Sequence, residues 1–562
     1  MKTTLLLALL GASAAQAATL ILPTTPADVG TLLTDTAHVS VGEARELCRH
    51  LTDDDVVELG GFPVSKRPKG MKRHVKHLCE KVDLLIWEER TVLAEEREAL
   101  YELRLLHASL LQKGRADAIG MTLRGKLTMG LYSILTPFTL TFKHEVSAHE
   151  ATNLPLTKPL AAYTPSELAA LDPADSPFFE NVTDANPHKR FGELAKKKKI
   201  DVREKMAVVF DGVSDNGSAP KIKVIDSQNA EDEWSLKWGD EVHTDVVGSR
   251  LFAALGFDVD HPYYRTRDDV FVVFPQSLPV KNAEDMLAQI KRTFKIDVTP
   301  FVSTTGIVGD AEIARTKELE AYRGLPYVTF KECAIEGRPD RVKRLGSIAP
   351  TAVGNPGRRE LRGALLAHMW LDNWDVREEN TLLSVNHLGK FKYKTRGSFS
   401  DLGTSLGVKL NLPRGDFRVG LPNQFGWNLV KRVSPTEISF HGVMNSRMAP
   451  YKNATYADLK WMASKIARVS GETLGKVLEK SGWPAPIQAI YFHKLAARRA
   501  QILDAFGIPD PHPIAFTEDL TVSYKGEVVV REGRLLKDID AENHPIGFRN
   551  TRGRVRNYGR DL

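Results

Sequence analysis

Cysteine is scarce in this chain of 562 residues, which has only Cys48, Cys79 and Cys333. Three cysteines cannot form a disulfide framework, and no C-x-x-C pair indicates a zinc site. In an exported protein Cys48 and Cys79, which both lie on predicted helices of one region, could pair. Cys333 would then remain unpaired, and we expect it to be buried.

The chain also lacks a strong excess of charge and a long apolar run. Its 77 basic and 71 acidic residues give a net charge of +6, which argues against a dedicated nucleic-acid binder. Apart from the N-terminus, the best apolar candidate, 129–142, is short and contains Pro137, so the sequence predicts no transmembrane span. The histidines are scattered and no H-E-x-x-H occurs, which disfavours a metal hydrolase.

The first residues, MKTTLLLALLGASAAQA, combine a lysine, an apolar run and small residues at Ala15 and Ala17. This is the layout of a secretory signal peptide, 1–17, with cleavage after Ala17. The alternative is a short buried helix, but the A-x-A ending favours export. We therefore expect a secreted or periplasmic protein, or one in the lumen of a eukaryotic secretory pathway.

The periodicity of apolar residues predicts an α+β protein with several parts. Residues 18–199 are predicted to be mainly helical and to end at the basic run Lys196–Lys199. Residues 200–300 are predicted to be β-rich with one helix, and residues 301–515 mainly helical. Short strands and a basic tail are expected in 516–562.

A group of oxygen-bearing side chains follows the predicted helix RRELRGALLAHMWL. Asp375 and Asn380 are five positions apart in DVREEN, and Asp401 follows Asn380 by 21 positions in SFSDLG. Phosphoryl transfer needs a carboxylate to orient the attacking hydroxyl, and oxygen ligands to hold Mg²⁺ against the phosphates. This spacing supplies both, with Gly403 allowing a sharp turn after the metal ligand. Asp372 is off the spacing and is interpreted as a loop-capping residue.

The motif resembles the protein-kinase pattern H-R-D-x-x-x-x-N followed by D-F-G. Asn373 and Trp374 replace the His-Arg pair, and Leu402 replaces Phe, so the chain looks more like the atypical phosphoinositide kinases and HipA-type kinases. The resemblance covers about 205–410. It implies a two-lobed kinase-like fold behind a helical N-terminal region, use of ATP and Mg²⁺, Asp375 as catalytic base, and Asn380 and Asp401 as metal ligands.

The resemblance also requires a lysine on an upstream strand to bind the nucleotide phosphates, and EWSLKWG provides Lys237. The next helix offers Glu241 and Asp245, one turn apart, as its acidic partner, and we favour Glu241. The turn DGVSDNGSAP, with Gly212 and Gly217, lies where kinases place the loop that covers the phosphates. It has no G-x-G-x-x-G pattern.

Each of these signals is common by itself, because Asp-x-Gly is usually a turn and a lone strand lysine usually snorkels. Their order along the chain favours a kinase that transfers phosphate from ATP to a hydroxyl on a protein, lipid or glycan. One alternative is an inactive pseudokinase that acts as a binding module, which the altered His-Arg pair and the poor glycine loop favour. Another is a cell-envelope interaction protein whose helical front half binds the partner.

Overall fold

The computed structural model describes most of the chain from Ser176 onward, and short segments before it. The described residues are 48–49, 51, 58–59, 62–63, 75–76, 78–80, 138–143, 176, 178–182, 187–214, 219–294, 296–339, 342–347, 359–376, 380–389, 392–411, 416–442, 451, 454–540, 545–546 and 557–558. The predicted signal peptide, most of the predicted helical region 18–199, and Gly217 lie outside them.

The helices that begin and end within the described residues are numbered here in chain order. They are α1 (Pro187–Lys198), α2 (Glu241–Leu255), α3 (Ala283–Phe294), α4 (Asp310–Arg315), α5 (Arg359–Trp370), α6 (Tyr456–Ile466), α7 (Gly471–Glu479) and α8 (Ala485–Phe506).

The strands are numbered in the same way. The first twelve are β1 (Glu58–Leu59), β2 (Phe62–Pro63), β3 (Phe138–Lys143), β4 (Met206–Val213), β5 (Lys221–Asp226), β6 (Asp232–Lys237), β7 (Asp258–Val259), β8 (Pro262–Arg265), β9 (Val270–Val273), β10 (Val302–Ile307), β11 (Pro326–Phe330) and β12 (Cys333–Pro339). The others are β13 (Val342–Ser347), β14 (Thr381–Gly389), β15 (Lys392–Phe399), β16 (Lys409–Asn411), β17 (Asp416–Arg418), β18 (Val430–Val433), β19 (Glu437–Gly442), β20 (Val522–Tyr524), β21 (Glu527–Arg531), β22 (Arg534–Leu535), β23 (Asp538–Asp540), β24 (Pro545–Ile546) and β25 (Asn557–Tyr558).

The protein is a mixed α+β structure whose largest sheet has eight strands in the order β10-β11-β9-β4-β5-β6-β12-β8. Side chains alternate between the faces of a strand. In β6, Trp234 and Leu236 therefore enter an apolar core that also contains Met286 and Ile290 of α3, while Lys237 lies on the other face. This alternation places a charged side chain beside, and not inside, the core.

Helix α2 follows the sheet strand β6 and is buried along nearly its whole length. It ends at Gly256, whose φ of 111° is in the left-handed region. The Gly256 amide donates hydrogen bonds to the carbonyl oxygens of Ala253 and Phe252 in the last turn. The helix predicted to follow Lys237 and to carry Glu241 and Asp245 therefore forms as expected.

Two predicted boundaries require correction. The eight-stranded sheet continues through β10, β11 and β12 to Pro339, so it does not end at residue 300. Residues 301–515 are also less helical than predicted, because β13 to β19 precede α6. The antiparallel hairpin of β14 and β15 joins Asn380 to residues 400–404, which are called the Asp401 segment below.

The N-terminal segments that are described pack into the second and larger core. Leu51, Val75 and Leu78 belong to the same apolar cluster as α5 and α8, and β3 pairs with β19. Cys48 and Cys79 form a disulfide with a Cα–Cα distance of 5.8 Å, and Cys333 is free and buried. Among the described residues, no helix combines the length and apolarity needed to cross a membrane.

Candidate functional site

Lys237 ends strand β6 and lies between two carboxylates. Its Nζ is 2.8 Å from Oε2 of Glu336 and 3.6 Å from Oδ2 of Asp245. The Lys237 side chain is 13% exposed, and the two acidic side chains are 2% and 4% exposed. Burial alone lowers the pKa of Lys237, but Glu336, Asp245 and Asp401 outweigh it and raise that pKa well above its usual value. Lys237 is therefore a fixed positive charge.

The acidic residues of α2 divide between two neighbours. Asp245 contacts Lys237, whereas Glu241 has no ion-pair contact with that lysine among the described residues and lies instead against Gly403. The sequence-based preference for Glu241 as the lysine partner is therefore wrong. Glu241 is the first residue of α2 and lies one turn before Asp245. This position places Glu241 against Gly403, two residues after Asp401.

The pKa values of both α2 acids are raised. Burial raises the pKa of Glu241 to about 8, and the charges of Asp401, Asp245 and Asp375 add to that effect against the opposing charge of Lys237. Burial raises the pKa of Asp245 to about 7, although Lys237 opposes it. A site in which carboxylates repel one another favours a bound cation.

The loop after α5 is closed by hydrogen bonds that require the Asp-to-Asn spacing. Nδ2 of Asn380 donates to the Asp375 carbonyl oxygen at 2.8 Å and to Asp375 Oδ2 at 3.2 Å. Oδ1 of Asn373 accepts a hydrogen bond from the Asp375 amide at 3.1 Å. Asp375 is buried, at 7% exposure, so the loop holds its carboxyl group in one orientation.

The Asp401 segment is joined to this loop through the backbone. The Ser400 amide donates to the Asn380 carbonyl at 2.8 Å, and the Trp374 amide donates to the Thr404 carbonyl at 2.9 Å. Asp401 has φ of 54°, in the left-handed region that costs energy for most residues other than glycine. The two predicted metal ligands, Asn380 and Asp401, thus lie on adjoining segments.

Gly403 lies in the turn that follows Asp401, as predicted, and it also permits close packing against α2. A Cβ atom on Gly403 would lie 3.0 Å from Cβ of Glu241. Thr244 Oγ1 donates a hydrogen bond to the Gly403 carbonyl at 2.5 Å. In the same contact, a Cβ atom on Gly248 would lie 2.9 Å from Cβ of Leu402. These contacts bring α2 and its acids onto the Asp401 segment.

The remaining predicted residues differ in what the structure says of them. Gly212 lies at a register shift in β4, where an added Cβ atom would meet no other atom within 4 Å, while Gly217 lies outside the described residues. Asp372 accepts a hydrogen bond from Trp374 Nε1 at 3.2 Å and has φ of 53°. Burial raises the pKa of Asp372 to about 6.

Glu336 is the site residue that sequence reasoning missed. Glu336 lies between Ile335 and Gly337 in strand β12, and a buried acidic residue in a strand needs a charged partner. The kinase pattern places the acidic partner on the helix that follows the lysine, so it assigns no role to Glu336.

Asn380, Asp401 and the two α2 acids offer the carbonyl and carboxylate oxygen atoms that Mg²⁺ prefers as ligands. Within the described part of the chain, no three His, Cys, Asp or Glu side chains are arranged as a preformed metal cage. Mg²⁺ usually binds one or two protein carboxylates together with substrate phosphates, and two ligands fit that mode.

Comparison with known proteins gives no match, whether with protein-family models, curated proteins or solved structures.

Proposed function

We propose that the protein is an exported, two-lobed kinase-like phosphotransferase that uses Mg²⁺ and ATP. The observation that carries the proposal is the meeting of three distant segments around Glu241, where the charges of Lys237, Asp375 and Asp401 all affect the pKa of that residue. These segments are β6 with α2, the loop from Asp375 to Asn380, and the segment at Asp401. One fixed ammonium group, a buried carboxyl group and adjoining oxygen ligands are the parts that phosphoryl transfer needs.

In this proposal the eight-stranded sheet forms the small lobe and the part after Pro339 forms the large lobe. Lys237 would bind the nucleotide phosphates, and Asn380 and Asp401 would hold Mg²⁺, which neutralises charge on the phosphates. Asp375 would orient the acceptor hydroxyl and take its proton while the oxygen–phosphorus bond forms. The bond from the γ-phosphorus to ADP breaks in the same step. The acceptor is a hydroxyl on a protein, lipid or glycan.

The alternative function is a binding module that holds nucleotide without transferring phosphate. It is supported by Asn373 and Trp374, which stand where a kinase has its His-Arg pair. Tryptophan is uncharged, so Trp374 supplies no positive charge to the loop, and its indole N–H donates a hydrogen bond to Asp372.

The first test is thermal unfolding of the protein with ATP, with Mg²⁺, and with both. A ligand at about 100 times its Kd stabilises a folded protein by about 2.7 kcal/mol. We expect a clear rise in Tm only when ATP and Mg²⁺ are both present, and its loss in Lys237→Met. Lys291→Met, on the exposed face of α3, is the matched control.

Radiolabelled ATP then separates the two functions. Transfer of the γ-phosphate to a hydroxyl, including the protein's own Ser and Thr, supports the kinase. Binding without any transfer supports the binding module, and the lack of binding with Mg²⁺ refutes both.

A further inference from the structure

We propose that Glu336 is the positioning residue for Lys237, so that the sheet, and not helix α2, fixes the lysine. The role of this contact in catalysis rests on the proposed function, but the contact itself does not. No motif in the sequence assigned a role to Glu336.

The backbone of Glu336 is held on both sides. Strand β12 lies between β6 and β8, and Glu336 pairs with Ser235 of β6 and with Pro262 of β8. Lys237 is opposite Ala334, two residues before Glu336 on the same strand. Residues two apart on a strand share a face, so Glu336 is the diagonal neighbour of Lys237.

The distances favour Glu336 over the helix acid. Its carboxylate is 2.8 Å from the Lys237 ammonium group, which is hydrogen-bonding distance, whereas that of Asp245 is 3.6 Å away. Removal of one partner from a buried charge pair leaves the other charge uncompensated. The shorter contact should therefore contribute more to the position of Lys237.

The arrangement has a regulatory consequence. In protein kinases the lysine partner is on a helix, and movement of that helix controls activity. Here the nearest partner belongs to the same sheet as the lysine, so Lys237 remains in place when α2 moves. The site is built to be preorganised.

The test measures the amine of Lys237 directly, without nucleotide. The protein is labelled with acetic anhydride between about pH 8 and about pH 11, and Lys237 acetylation is quantified by mass spectrometry, because only the neutral amine reacts. The charges that face Lys237 are Glu336 on β12, Asp245 and Glu241 on α2, Asp401, and Lys221 on β5. Glu336→Gln and Asp245→Asn each remove one charge with little change in shape.

We expect Glu336→Gln to shift the labelling of Lys237 to lower pH by more than Asp245→Asn does. We also expect it to weaken Mg²⁺-dependent ATP binding by about tenfold, which is ~1.4 kcal/mol, against less than about threefold for Asp245→Asn. Melting curves check folding. If Glu336→Gln does not fold, Glu336→Asp replaces it and should still shift the labelling more than Asp245→Glu does.

An equal or larger shift in the Asp245 variant overturns the inference, as does an unchanged titration in the Glu336 variant. If the parent binds no nucleotide but the order of the shifts is as expected, the proposed function fails while Glu336 is still the positioning residue.

Discussion

The side-chain amide of Asn380 donates hydrogen bonds to both the backbone carbonyl and the carboxylate of Asp375, at 2.8 and 3.2 Å. The two residues are five positions apart, and this spacing lets one side chain close the loop. The Asn380 carbonyl also accepts from Ser400, next to Asp401. One asparagine thus links the proposed base to the proposed metal ligand.

The first prediction concerns the proposed base. Asp375→Asn should reduce phosphoryl transfer by about 10²- to 10⁴-fold, the usual contribution of general-base assistance. Nucleotide affinity should change little, since Lys237 and the metal ligands bind the phosphates. Transfer of radiolabelled γ-phosphate and isothermal titration with Mg²⁺ and ATP measure the two effects.

The control for that experiment is Asp372→Asn in the same loop. The Asp372 carboxylate accepts a hydrogen bond from the Trp374 indole and has no proposed role in proton transfer. The substitution should therefore reduce activity far less than Asp375→Asn does. If Asp372→Asn is inactive and Asp375→Asn is active, the assignment of the loop is wrong.

The second prediction concerns the metal. In the double variant that carries both Asn380→Ala and Asp401→Ala, ATP should bind equally weakly with and without Mg²⁺, because both proposed oxygen ligands are removed. Titration with Mn²⁺, followed by electron paramagnetic resonance, measures the metal alone. Asn423→Ala, whose amide bonds the Leu535 carbonyl elsewhere, is the matched control. An unchanged Mg²⁺ dependence in the double variant contradicts the assignment.

The third prediction is a dependence of stability on pH. The pKa values of Glu241 and Asp245 are raised to about 8 and about 7, chiefly by burial. Between about pH 4 and about pH 8 these two carboxyl groups bind more protons in the folded protein than in the unfolded chain, so their contribution to the free energy of unfolding falls as pH rises through this range. We expect Tm of the metal-free protein to fall between about pH 6 and about pH 8.

Glu241→Gln should flatten this fall, because the substituted side chain cannot ionise. Glu472→Gln on the exposed face of α7 should leave it unchanged. A Tm that rises over the same range in the metal-free parent contradicts the account.

The fourth prediction concerns the core that supports the site. Arg362 of α5 and Asp458 of α6 form a fully buried pair, with Asp458 Oδ2 2.7 Å from Arg362 Nε and Oδ1 3.0 Å from Nη2. Asp458→Asn removes the negative charge from this buried pair, and the loss of one partner typically costs about 3–5 kcal/mol. Chemical denaturation should show that loss, whereas Lys476→Gln at an exposed pair should change stability by under about 1 kcal/mol.

The sequence predicted the parts of the site that depend on local pattern. Strand β6, helix α2, and the placement of Asp375 after α5 follow from the periodicity of apolar residues and from glycine caps. The contact of Lys237 with Glu336 was not predictable in this way. It depends on the pairing of β6 with β12, which are separated by the whole of β7 to β11. Strand order is set by the tertiary structure and leaves no mark in local periodicity.

The same limit explains the role of Gly403. A glycine after an acidic residue normally predicts a turn, and Gly403 does lie in a turn, although the left-handed residue is Asp401. Gly403 is also a point of contact with Glu241, and only the packing of α2 reveals that contact.

The most direct test of the central claim is a crystal structure of the protein with Mg²⁺ and a non-hydrolysable ATP analogue. The account predicts phosphate oxygens at the Lys237 ammonium group and a metal ion bound to Asn380 and Asp401. It also predicts the Asp375 carboxylate facing the γ-phosphate and the Lys237–Glu336 contact intact. A nucleotide bound elsewhere, or a metal that contacts neither Asn380 nor Asp401, would contradict it.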